Sequence, residues 1–338
     1  MIGRNVLSGM RPTGKLHIGH LEGVLQEWIN LQQSYDCYYF VADWHALTTN
    51  SETKDLKENT IDMVKDWLAY GVDPNKSTLF IQSQVPEHAE LGLLFSMLVN
   101  LGRLERLPTF NAYLKEIVKV EEKDKKIYDE VKRAKVNHGF LGYPILQSAD
   151  ILIYKTNLVP VGEDQLSHIE LTREIARKFN SLYKEIFPIP EPKLGETPCI
   201  LGTDSRKMSK SYGNVISPTD DYSILKNKVG KMVTDPNKIR ANDRGNPDVC
   251  SVFDMHELYH PNKLEVLTMC KEGSIGCFDC KGNLARNIYD KYEEFNEKRS
   301  EFSDNDILEI LEEGSKKARS IARQTLNEVK EAMHMDYF

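Results

Sequence analysis

The sequence predicts an α/β fold in which a parallel sheet is followed by a mostly α-helical part. Short segments rich in β-branched and aromatic residues alternate with amphipathic segments over the first half of the chain. That alternation is typical of a parallel sheet with helices on both faces. The strand signals then fade and helical periodicity dominates. At 338 residues the chain is long enough for two domains.

Four strands are predicted, at residues 6–9, 37–42, 78–81 and 158–161. A helix over 53–70 follows the second strand and ends at Gly71, since glycine is typical of the position after a helix. The helix between the first two strands is predicted from apolar residues at helical spacing. These are Leu21, Val24, Leu25, Trp28 and Ile29.

The clearest helix covers residues 306–333, where seven apolar side chains can share one broad face. They are Ile307, Leu311, Ala318, Ile321, Ala322, Leu326 and Val329. We therefore divide the chain into an α/β domain over 1–215 and a helical domain over 216–338. A segment dense in lysine and acidic residues predicts a charged helical insertion around 105–142, and its composition favours a solvated surface over a functional charge patch.

Composition restricts the class of protein. Hydrophobic residues make up 40% and charged residues 28%, with a net charge of −7, which argues against a protein that coats nucleic acid non-specifically. The N-terminus lacks the apolar core of a signal peptide, and the longest uncharged apolar stretch, 91–102, is too short to span a bilayer. We expect a cytoplasmic protein without a membrane partner, whose six cysteines are reduced or metal-bound.

A first motif with chemical potential runs from Thr13 to His20, directly after the first strand. A helix N-terminus at this place attracts anions through free N–H groups and its dipole. Gly14 and Gly19 allow backbone to approach a ligand, and His17 and His20 are three positions apart, on one side of a helical turn. Two imidazoles so placed predict donors for the oxygens of a phosphate under attack.

A second motif, Lys-Met-Ser-Lys-Ser at 207–211, is small, polar and rich in cations. Lys207 and Lys210 suit the outer phosphates of a triphosphate, with Mg²⁺ sharing the neutralisation. Each motif alone is a modest signal, and the pair in this order is a strong one. The chain has no Gly-x-Gly-x-x-Gly fingerprint and no Gly-Lys-Ser/Thr phosphate loop, so dinucleotide enzymes and ordinary NTPases are poorly supported.

These two motifs resemble the signature of the class I aminoacyl-tRNA synthetases. The segments 8–14, 143–152 and 159–165 extend the similarity to the bacterial tryptophanyl-tRNA synthetases over nearly the whole chain. The resemblance implies a Rossmann-like catalytic domain, a helical anticodon-binding domain, a homodimer and binding of tRNA(Trp). It also implies an ATP-contacting lysine near 110–116, where Tyr113 falls at the counted position and Lys115 is nearby.

The same resemblance implies an ATP site with Mg²⁺ and assigns its residues. Three groups of the chain would contact the nucleotide, namely the turn after the first strand, a turn after the fourth strand, and the lysine loop. The residues are Arg11, Pro12, Thr13, Gly19 and His20, then Gly162, Glu163 and Asp164, then Lys207, Met208, Ser209, Lys210 and Ser211. The catalytic residues among the signature positions would be His17, His20, Lys207 and Lys210.

Tyr143, Gln147 and Asp150 would share one face of a helix, because they are spaced by four and three positions. Pro144 suits the first turn of that helix. A carboxylate at position 150 lies among apolar neighbours, and burying it without a partner costs several kcal/mol. From the residues alone, an aspartate that bonds backbone or an arginine is the simpler interpretation.

The resemblance instead implies that Asp150 accepts the indole N–H of bound tryptophan, in a pocket that Gln147 also lines. Tyr143 and Gln165 would hold the substrate's α-amino group. A site built to pair a substrate N–H rejects phenylalanine, because the aspartate would otherwise be buried and unpaired. A tyrosyl-tRNA synthetase is the near alternative, since it also uses an aspartate in this helix. The 159–165 segment favours tryptophan.

Four cysteines, Cys250, Cys270, Cys277 and Cys280, lie within 31 positions with intervening gaps of 19, 6 and 2 residues. Both Zn²⁺ and an iron–sulfur cluster accept four thiolates. The gap of 6 fits a zinc pattern poorly, and a subset of bacterial tryptophanyl-tRNA synthetases carries a 4Fe-4S cluster on a similar pattern. We expect the cluster, with zinc as the alternative, and expect it to organise a surface for the anticodon.

The sequence thus predicts a tryptophan–tRNA ligase that forms tryptophanyl-adenylate from ATP and passes the acyl group to tRNA. Two other classes stay open besides the tyrosyl enzyme. A tRNA-independent adenylyltransferase would share the phosphate chemistry and have no use for the helical half. A non-catalytic RNA- or metal-binding relative would need neither histidine nor lysine pair.

Overall fold

The computed structural model describes residues 4–118, 135–195 and 200–337. Most of the predicted charged insertion, residues 119–134, lies outside the described residues, as does Cys199. Five parallel strands form one sheet in the order β3-β2-β1-β4-β5. The strands are β1 Asn5–Met10, β2 Asp36–Val41, β3 Ser77–Ile81, β4 Leu158–Val161 and β5 Glu191–Leu194.

Helices connect and follow the strands. Those of the α/β part are α1 Ile18–His20, α2 Gln26–Leu31, α3 Asp43–Leu47, α4 Leu56–Tyr70, α5 Glu87–Ser96, α6 Leu101–Leu104, α7 Pro108–Val118, α8 His138–Ile153 and α9 Leu166–Leu182. Those after residue 216 are α10 Tyr222–Gly230, α11 Ser251–Tyr259, α12 Lys263–Glu272, α13 Cys277–Glu301 and α14 Asp304–Ala332. Short 3₁₀ turns lie at Gln82–Gln84, Glu163–Gln165, Lys210–Tyr212 and Pro247–Val249. The predicted fold class, a parallel sheet followed by helices, is confirmed.

The fifth strand is absent from the sequence prediction. Its sequence, Glu-Pro-Lys-Leu, is polar and contains Pro192. Proline cannot donate to a ladder and is tolerated in edge strands, which is where β5 lies. The opposite edge strand, β3, packs against α14, and the backbone N–H of Ile81 donates to Ser315 Oγ at 3.3 Å.

Two local predictions are wrong in detail. A π-helical segment, Leu21–Leu25, joins α1 to α2, and its extra residue per turn rotates the helix. Val24, predicted to face the core, is therefore 38% exposed, while Glu22 is buried. Pro144 lies inside α8 and not in its first turn, because Asn137 caps the helix earlier by accepting from the N–H of Phe140 at 2.6 Å.

The apolar face predicted for 306–333 is confirmed, with its residues packed in two buried clusters. One cluster joins side chains of β1 and β2 to those of α10, α11 and α13. The division at residue 215 stays a prediction. Within the described ranges, none of the helices has both the length and the apolar character required to cross a bilayer.

Candidate active site

The order of the strands places a cleft at the carboxyl ends of β1 and β4. The chain adds β2 and β3 on one side of β1, then crosses to add β4 and β5 on the other. Ligands of open α/β sheets bind at such a reversal point, outside the carboxyl ends of the strands. The turn that begins at Arg11 follows β1, and the turn at Gly162 follows β4, so both predicted ATP-contacting turns flank this cleft.

The turn after β1 requires glycine. Gly14 has a φ of +99°, in the left-handed region that side chains disfavour. Lys210 Nζ donates to the carbonyl oxygens of Thr13 at 3.2 Å and of Gly14 at 2.9 Å. The second signature motif thus lies directly against the first.

His17 and His20 lie side by side, with ring centroids 3.7 Å apart. His20 Nδ1 accepts from the backbone N–H of His17 at 3.2 Å. Gly19 permits this arrangement, because a Cβ at that position would lie 2.9 Å from His17 Nδ1. That Nδ1 is buried and has no hydrogen-bond partner in the part of the chain that the structure describes. A buried polar atom without a partner suits a site completed by a ligand.

Both imidazoles are neutral at pH 7. Burial, then the positive charges of Lys210 and Lys207, lower the pKa of His17 to about 4. Burial, His17 and Lys210 lower the pKa of His20 to about 3. The two lysines are therefore close enough to act on the ring of His17, and the histidines can serve as neutral hydrogen-bond donors beside two cations.

The lysine loop is held by its own hairpin and by one asparagine. Leu201 and Lys207 form an antiparallel bridge. The side chain of Asn214 is buried, accepts from the N–H of Ser209 at 2.8 Å and donates to the carbonyl of Lys207 at 3.2 Å. Met208 is buried in the core, so any contact between this residue and a nucleotide involves its backbone. Ser209 Oγ and Ser211 Oγ are 2.9 Å apart.

Arg11 and Asp66 complete the charge pattern. Partial burial lowers the pKa of Lys210, the nearby carboxylate of Asp66 opposes that effect, and Arg11 adds to it. Arg11 also hydrogen-bonds Thr49 Oγ1 at 3.3 Å. Pro12 and Thr13 line a small polar cleft against α3 and the start of α4. We call the turn 11–20 and the loop 207–211 together the histidine–lysine site.

Asp150 is fully buried and its carboxylate is saturated with donors. Oδ2 lies 2.7 Å from His45 Nε2, and Oδ1 lies 2.6 Å from His88 Nδ1. Gln82 Nε2 donates to both oxygens, at 3.0 and 2.9 Å. Burial by itself raises the pKa of Asp150, yet His45 and His88 outweigh it and bring the pKa down to about 2. The carboxylate is therefore ionised at pH 7.

Three elements supply the partners of Asp150. His45 lies in α3, directly after β2, Gln82 lies directly after β3, and His88 lies in α5. Neither backbone nor an arginine bonds this carboxylate among the described contacts, so the simpler interpretation from sequence is not what the fold contains. His88 continues the network, with its Nε2 2.7 Å from the hydroxyl of Tyr154.

Beside Asp150, the other predicted pocket residues meet around His168. Its Nε2 lies 3.1 Å from the hydroxyl of Tyr143, and its Nδ1 lies 2.8 Å from Gln165 Oε1. Gln147 donates to the same oxygen at 3.4 Å. Burial lowers the pKa of His168 to about 4. We call Asp150 with its three partners, together with this group, the Asp150 pocket.

The two regions adjoin. Burial is the main cause that raises the pKa of Tyr143, and the charges of Arg11 and Asp164 also act on it. Asp164 Oδ2 accepts from Gln165 at 2.7 Å. Arg11 of the histidine–lysine site is thus a neighbour of Tyr143, and the Gly162–Gln165 turn contributes to both regions. Glu163 lies in the same turn.

Sequence reasoning missed His45, Gln82, His88, His168 and Asn214. A signal existed for two of them, since His45 and Gln82 closely follow predicted strands and so lie at the ligand-binding edge of the sheet. His88 meets Asp150 only through packing of elements far apart in sequence. His168 and Asn214 act close to predicted residues, three positions after Gln165 and five after Ser209. Tyr113 stacks on Phe140 with centroids 3.8 Å apart, and Lys115 is exposed on α7.

The four cysteines come together between α11, α12 and the start of α13. Burial, followed by the proximity of Cys250, Cys270 and Cys277, raises the pKa of the Cys280 thiol to about 12. Cys280 Sγ is also 3.3 Å from His256 Nε2. Over residues 4–118, 135–195 and 200–337, no group of three side chains is placed to hold a single metal ion.

Comparison with known proteins gives a consistent result. The model of the family described as tRNA synthetases class I (W and Y) matches residues 4–293. Tryptophan–tRNA ligases from Thermotoga maritima and Aquifex aeolicus are 49% and 43% identical to the chain, each covering 98% of it and 99% of the relative. Tryptophanyl-tRNA synthetase from Campylobacter jejuni, solved with ADP and tryptophan, superposes with a TM-score of 0.84 at 32% identity, covering 98% of this chain and 99% of that one.

The sheet, the two signature motifs and the family match define a class I tRNA synthetase of the tryptophan and tyrosine family, and the chain belongs to it. Its enzyme class is that of an ATP-dependent aminoacyl-tRNA ligase. Within that family its nearly full-length relatives are tryptophan–tRNA ligases. The predicted resemblance to the bacterial tryptophanyl-tRNA synthetases is confirmed.

Proposed function

We propose that this chain acts as a tryptophan–tRNA ligase through the histidine–lysine site and the Asp150 pocket. The carboxylate of L-tryptophan attacks the α-phosphorus of ATP, the bond to the β-phosphate breaks, and pyrophosphate leaves. A hydroxyl of the terminal ribose of tRNA(Trp) then attacks the carbonyl carbon of the adenylate, and AMP leaves. The observation that carries the proposal is the convergence of two histidines and two lysines, 190 positions apart, beside a buried ionised aspartate.

In the first step, the chain supplies position and charge and no nucleophile. His17 and His20, neutral at pH 7, donate hydrogen bonds to the non-bridging oxygens of the α-phosphate. Lys207 and Lys210 hold the departing pyrophosphate. Lys210 now bonds two backbone carbonyls, so the phosphates replace neutral acceptors with charged ones. Mg²⁺ that arrives with ATP adds further neutralisation, and we assign it no protein ligand.

In the Asp150 pocket the substrate's indole N–H must take one of the positions that now bond the carboxylate. His88 is fully buried, whereas the His45 side chain keeps 11% of its surface exposed. His45 is therefore the partner that tryptophan replaces at Oδ2. Phenylalanine has no N–H to offer, so its binding leaves the carboxylate without the donor that it displaced. Tyr143 and Gln165 bind the α-amino group, and Gln147 lines the pocket.

A second copy of the chain is the partner we propose for an apolar surface on α5 and α6. Leu93, Met97 and Leu101 are 60%, 71% and 57% exposed. Exposed apolar side chains grouped in this way are typical of an interface, and a two-fold axis would set the same patch of each copy together. Sedimentation at micromolar concentration should give a dimer, and Met97→Glu should give a monomer. The cytoplasm, which holds ATP and tRNA, is the compartment we propose.

Tryptophan-dependent exchange between ATP and labelled pyrophosphate tests the activity. Tryptophan, tyrosine and phenylalanine are compared in parallel, followed by charging of tRNA(Trp). We expect exchange with tryptophan alone and acylation of the tRNA. Exchange with tyrosine in its place would support the tyrosyl enzyme instead. Exchange without tRNA charging would support a tRNA-independent adenylyltransferase, and no amino-acid-dependent turnover would support a non-catalytic relative.

For the four cysteines we propose a 4Fe-4S cluster, with zinc as the alternative. The donor set fits, because four thiols that are near one another offer the ligands that such a cluster takes. When bound, the cluster would bring redox-active iron and would fix the N-terminus of α13. The neighbouring Lys271, Lys281 and Arg286 support a surface for the anticodon.

Metal analysis of the purified protein tests the cluster. We expect a brown protein with iron and sulfide in equal amounts, and loss of both in Cys280→Ser. Cys37→Ser is the matched control, because Cys37 is a buried thiol of β2 and should leave the iron content unchanged. Stoichiometric zinc without iron would overturn the cluster in favour of the alternative.

A further inference from the structure

The π-helical segment Leu21–Leu25 follows the signature histidines in the chain and contains a buried carboxylate. Glu22 is two residues after His20, and it is 7% exposed. π turns carry a cost in hydrogen-bond geometry and are found mainly where a function retains them. Glu22 therefore calls for an explanation beyond the stability of the helix.

The partners of Glu22 come mostly from the helical part of the chain. Its Oε1 accepts from the hydroxyl of Tyr292 at 2.6 Å and lies 2.7 Å from Lys291 Nζ, both on α13. Tyr259 of α11 donates to the same oxygen at 3.3 Å. Burial, followed by the nearby charge of Glu22, raises the pKa of Tyr70 at the end of α4. A carboxylate buried this far is retained only with such partners, and losing them leaves an uncompensated charge.

The same long helix makes a second attachment to the catalytic half. Arg299 of α13 donates to Asp66 at 2.6 Å and to Asp62 at 2.9 Å, both on α4. Asp66 in turn acts on the charge of Lys210. One helix, α13, thus contacts the element behind the histidines and the element beside the catalytic lysine. Two attachments fix its position relative to the histidine–lysine site.

We propose that Glu22 is a positioning residue for His17 and His20, held by Tyr292, Lys291 and Tyr259 so that α13 sets where the two imidazoles lie. The proposal rests on the proposed function, because it assigns the histidines to the α-phosphate. Its physical basis is the short path from Glu22 to His20, two residues along one continuous helical run. A displacement of a few tenths of an ångström at a phosphate donor is enough to lower the rate of the chemical step.

Glu22→Gln and Glu27→Gln form a matched pair of variants. Glu27 lies on the same helical run and is also buried, but it pairs with Lys193 of β5, inside the α/β part. Both variants lose one partly buried ion pair. We expect Glu22→Gln to lower kcat of tryptophan-dependent exchange about tenfold with KM for tryptophan within about twofold, and Glu27→Gln to leave kcat within about twofold. Thermal unfolding of both variants measures the structural part of each effect.

Tyr292→Phe and Lys291→Met extend the test with changes on α13 that remove one partner each. We expect each to lower kcat several-fold, and we expect the Glu22→Gln/Tyr292→Phe double variant to be no slower than Glu22→Gln, because both act through one network. Equal kcat values for Glu22→Gln and Glu27→Gln, or additive effects in the double variant, would overturn the proposal. A wild-type chain without tryptophan-dependent exchange would refute the proposed function instead.

Discussion

The histidine–lysine site and the Asp150 pocket solve the problem of polar recognition in opposite ways. The first is built from a turn and a loop at the surface, where Lys210 rests on backbone carbonyls and His17 Nδ1 has no partner among the described residues. The second is a closed network in which both oxygens of Asp150 are bonded before any substrate enters. In the histidine–lysine site, which we call the open site, the lysines can move with a leaving group. In the Asp150 pocket, which we call the closed site, substrates are discriminated because leaving the buried carboxylate unpaired costs free energy.

The comparison predicts that the open site can lose activity without losing stability. We expect Lys210→Ala to lower kcat of exchange by about a thousandfold, because the charge that holds the leaving pyrophosphate is gone. The dissociation constant for tryptophan and the midpoint of unfolding should barely change. Lys226→Ala, an exposed lysine of α10, is the control of equal charge. Unaltered single-turnover release of pyrophosphate in Lys210→Ala would contradict the role of this residue.

In the Asp150 pocket, a single substitution should lower substrate binding and stability together. We expect Asp150→Asn to weaken tryptophan binding about a hundredfold, because a charged acceptor is removed, and to lower the free energy of unfolding by about 2 kcal/mol, because His45 and His88 lose their partner. Isothermal titration and urea unfolding measure the two effects. Asp73→Asn, which changes a surface turn, should do neither. A tryptophan dissociation constant unchanged in Asp150→Asn would remove the basis of the pocket assignment.

A substitution at Asn214 tests how far the histidine–lysine site depends on residues that hold its loop in place. The Asn214 side chain hydrogen-bonds the backbone of Ser209 and Lys207. We expect Asn214→Ala to lower kcat about tenfold, because the backbone N–H of Ser209 loses its acceptor and the loop is held less firmly. Steady-state kinetics with ATP varied measures the change. If Asn214→Ala lowered kcat as much as Lys210→Ala does, the activity of the loop would depend on being held in one fixed position, as the Asp150 pocket is.

The smallest expected effect concerns pH. The pKa values of His17, His20 and His168 are lowered to about 4, 3 and 4 in the folded chain, so the unfolded chain binds protons first as pH falls below about 6.5. Stability should therefore be lost as pH falls from about 6.5 towards 4. The lowered pKa of Asp150, about 2, moves its own contribution to the range below about 4. Asp66, whose pKa burial raises to about 6, opposes the histidines in part.

Urea unfolding at pH 7, 6 and 5 measures this dependence. We expect His168→Gln to remove about 1 kcal/mol of the loss between pH 7 and pH 5, since one buried imidazole no longer titrates on unfolding. His138→Gln, at an exposed position of α8, serves as the control. A pH dependence that is the same in wild type and His168→Gln would show that burial does not control the protonation of this ring.

Much of the fold could be predicted from sequence because its signals are local. Strands β1 to β4 and the last long helix show their periodicity within a few residues, and the two signature motifs carry their own chemistry. The two predictions that failed concern short segments, but the reasons for their failure lie in contacts with other parts of the chain. Strand β5 contains Pro192 and was not predicted, because it is a strand only through its pairing with β4. The π-helical segment Leu21–Leu25 interrupts the helical spacing that the apolar residues predicted.

The site shows the same division. His17, His20, Lys207 and Lys210 could be proposed from sequence because phosphate chemistry needs cations and donors in recognisable spacing, and their contact with the nucleotide stays a proposal. The partners of Asp150 could not, since His45, Gln82 and His88 come from three separate elements and meet only when β2, β3 and α5 pack around α8. An aspartate among apolar residues indicates that the carboxylate needs hydrogen-bond partners, but the sequence does not identify them.

By itself the sequence determined that a parallel sheet precedes a helical part and that an aspartate lies in an apolar segment, and it predicted a triphosphate as the substrate. Periodicity and residue chemistry are properties of short segments, so they can be recognised without the tertiary structure. Tertiary structure alone decided that Lys210 meets the turn at Gly14, that two histidines hold Asp150 ionised, and that Glu22 turns inward to α13. These facts depend on distances between residues far apart in the chain, which only packing establishes.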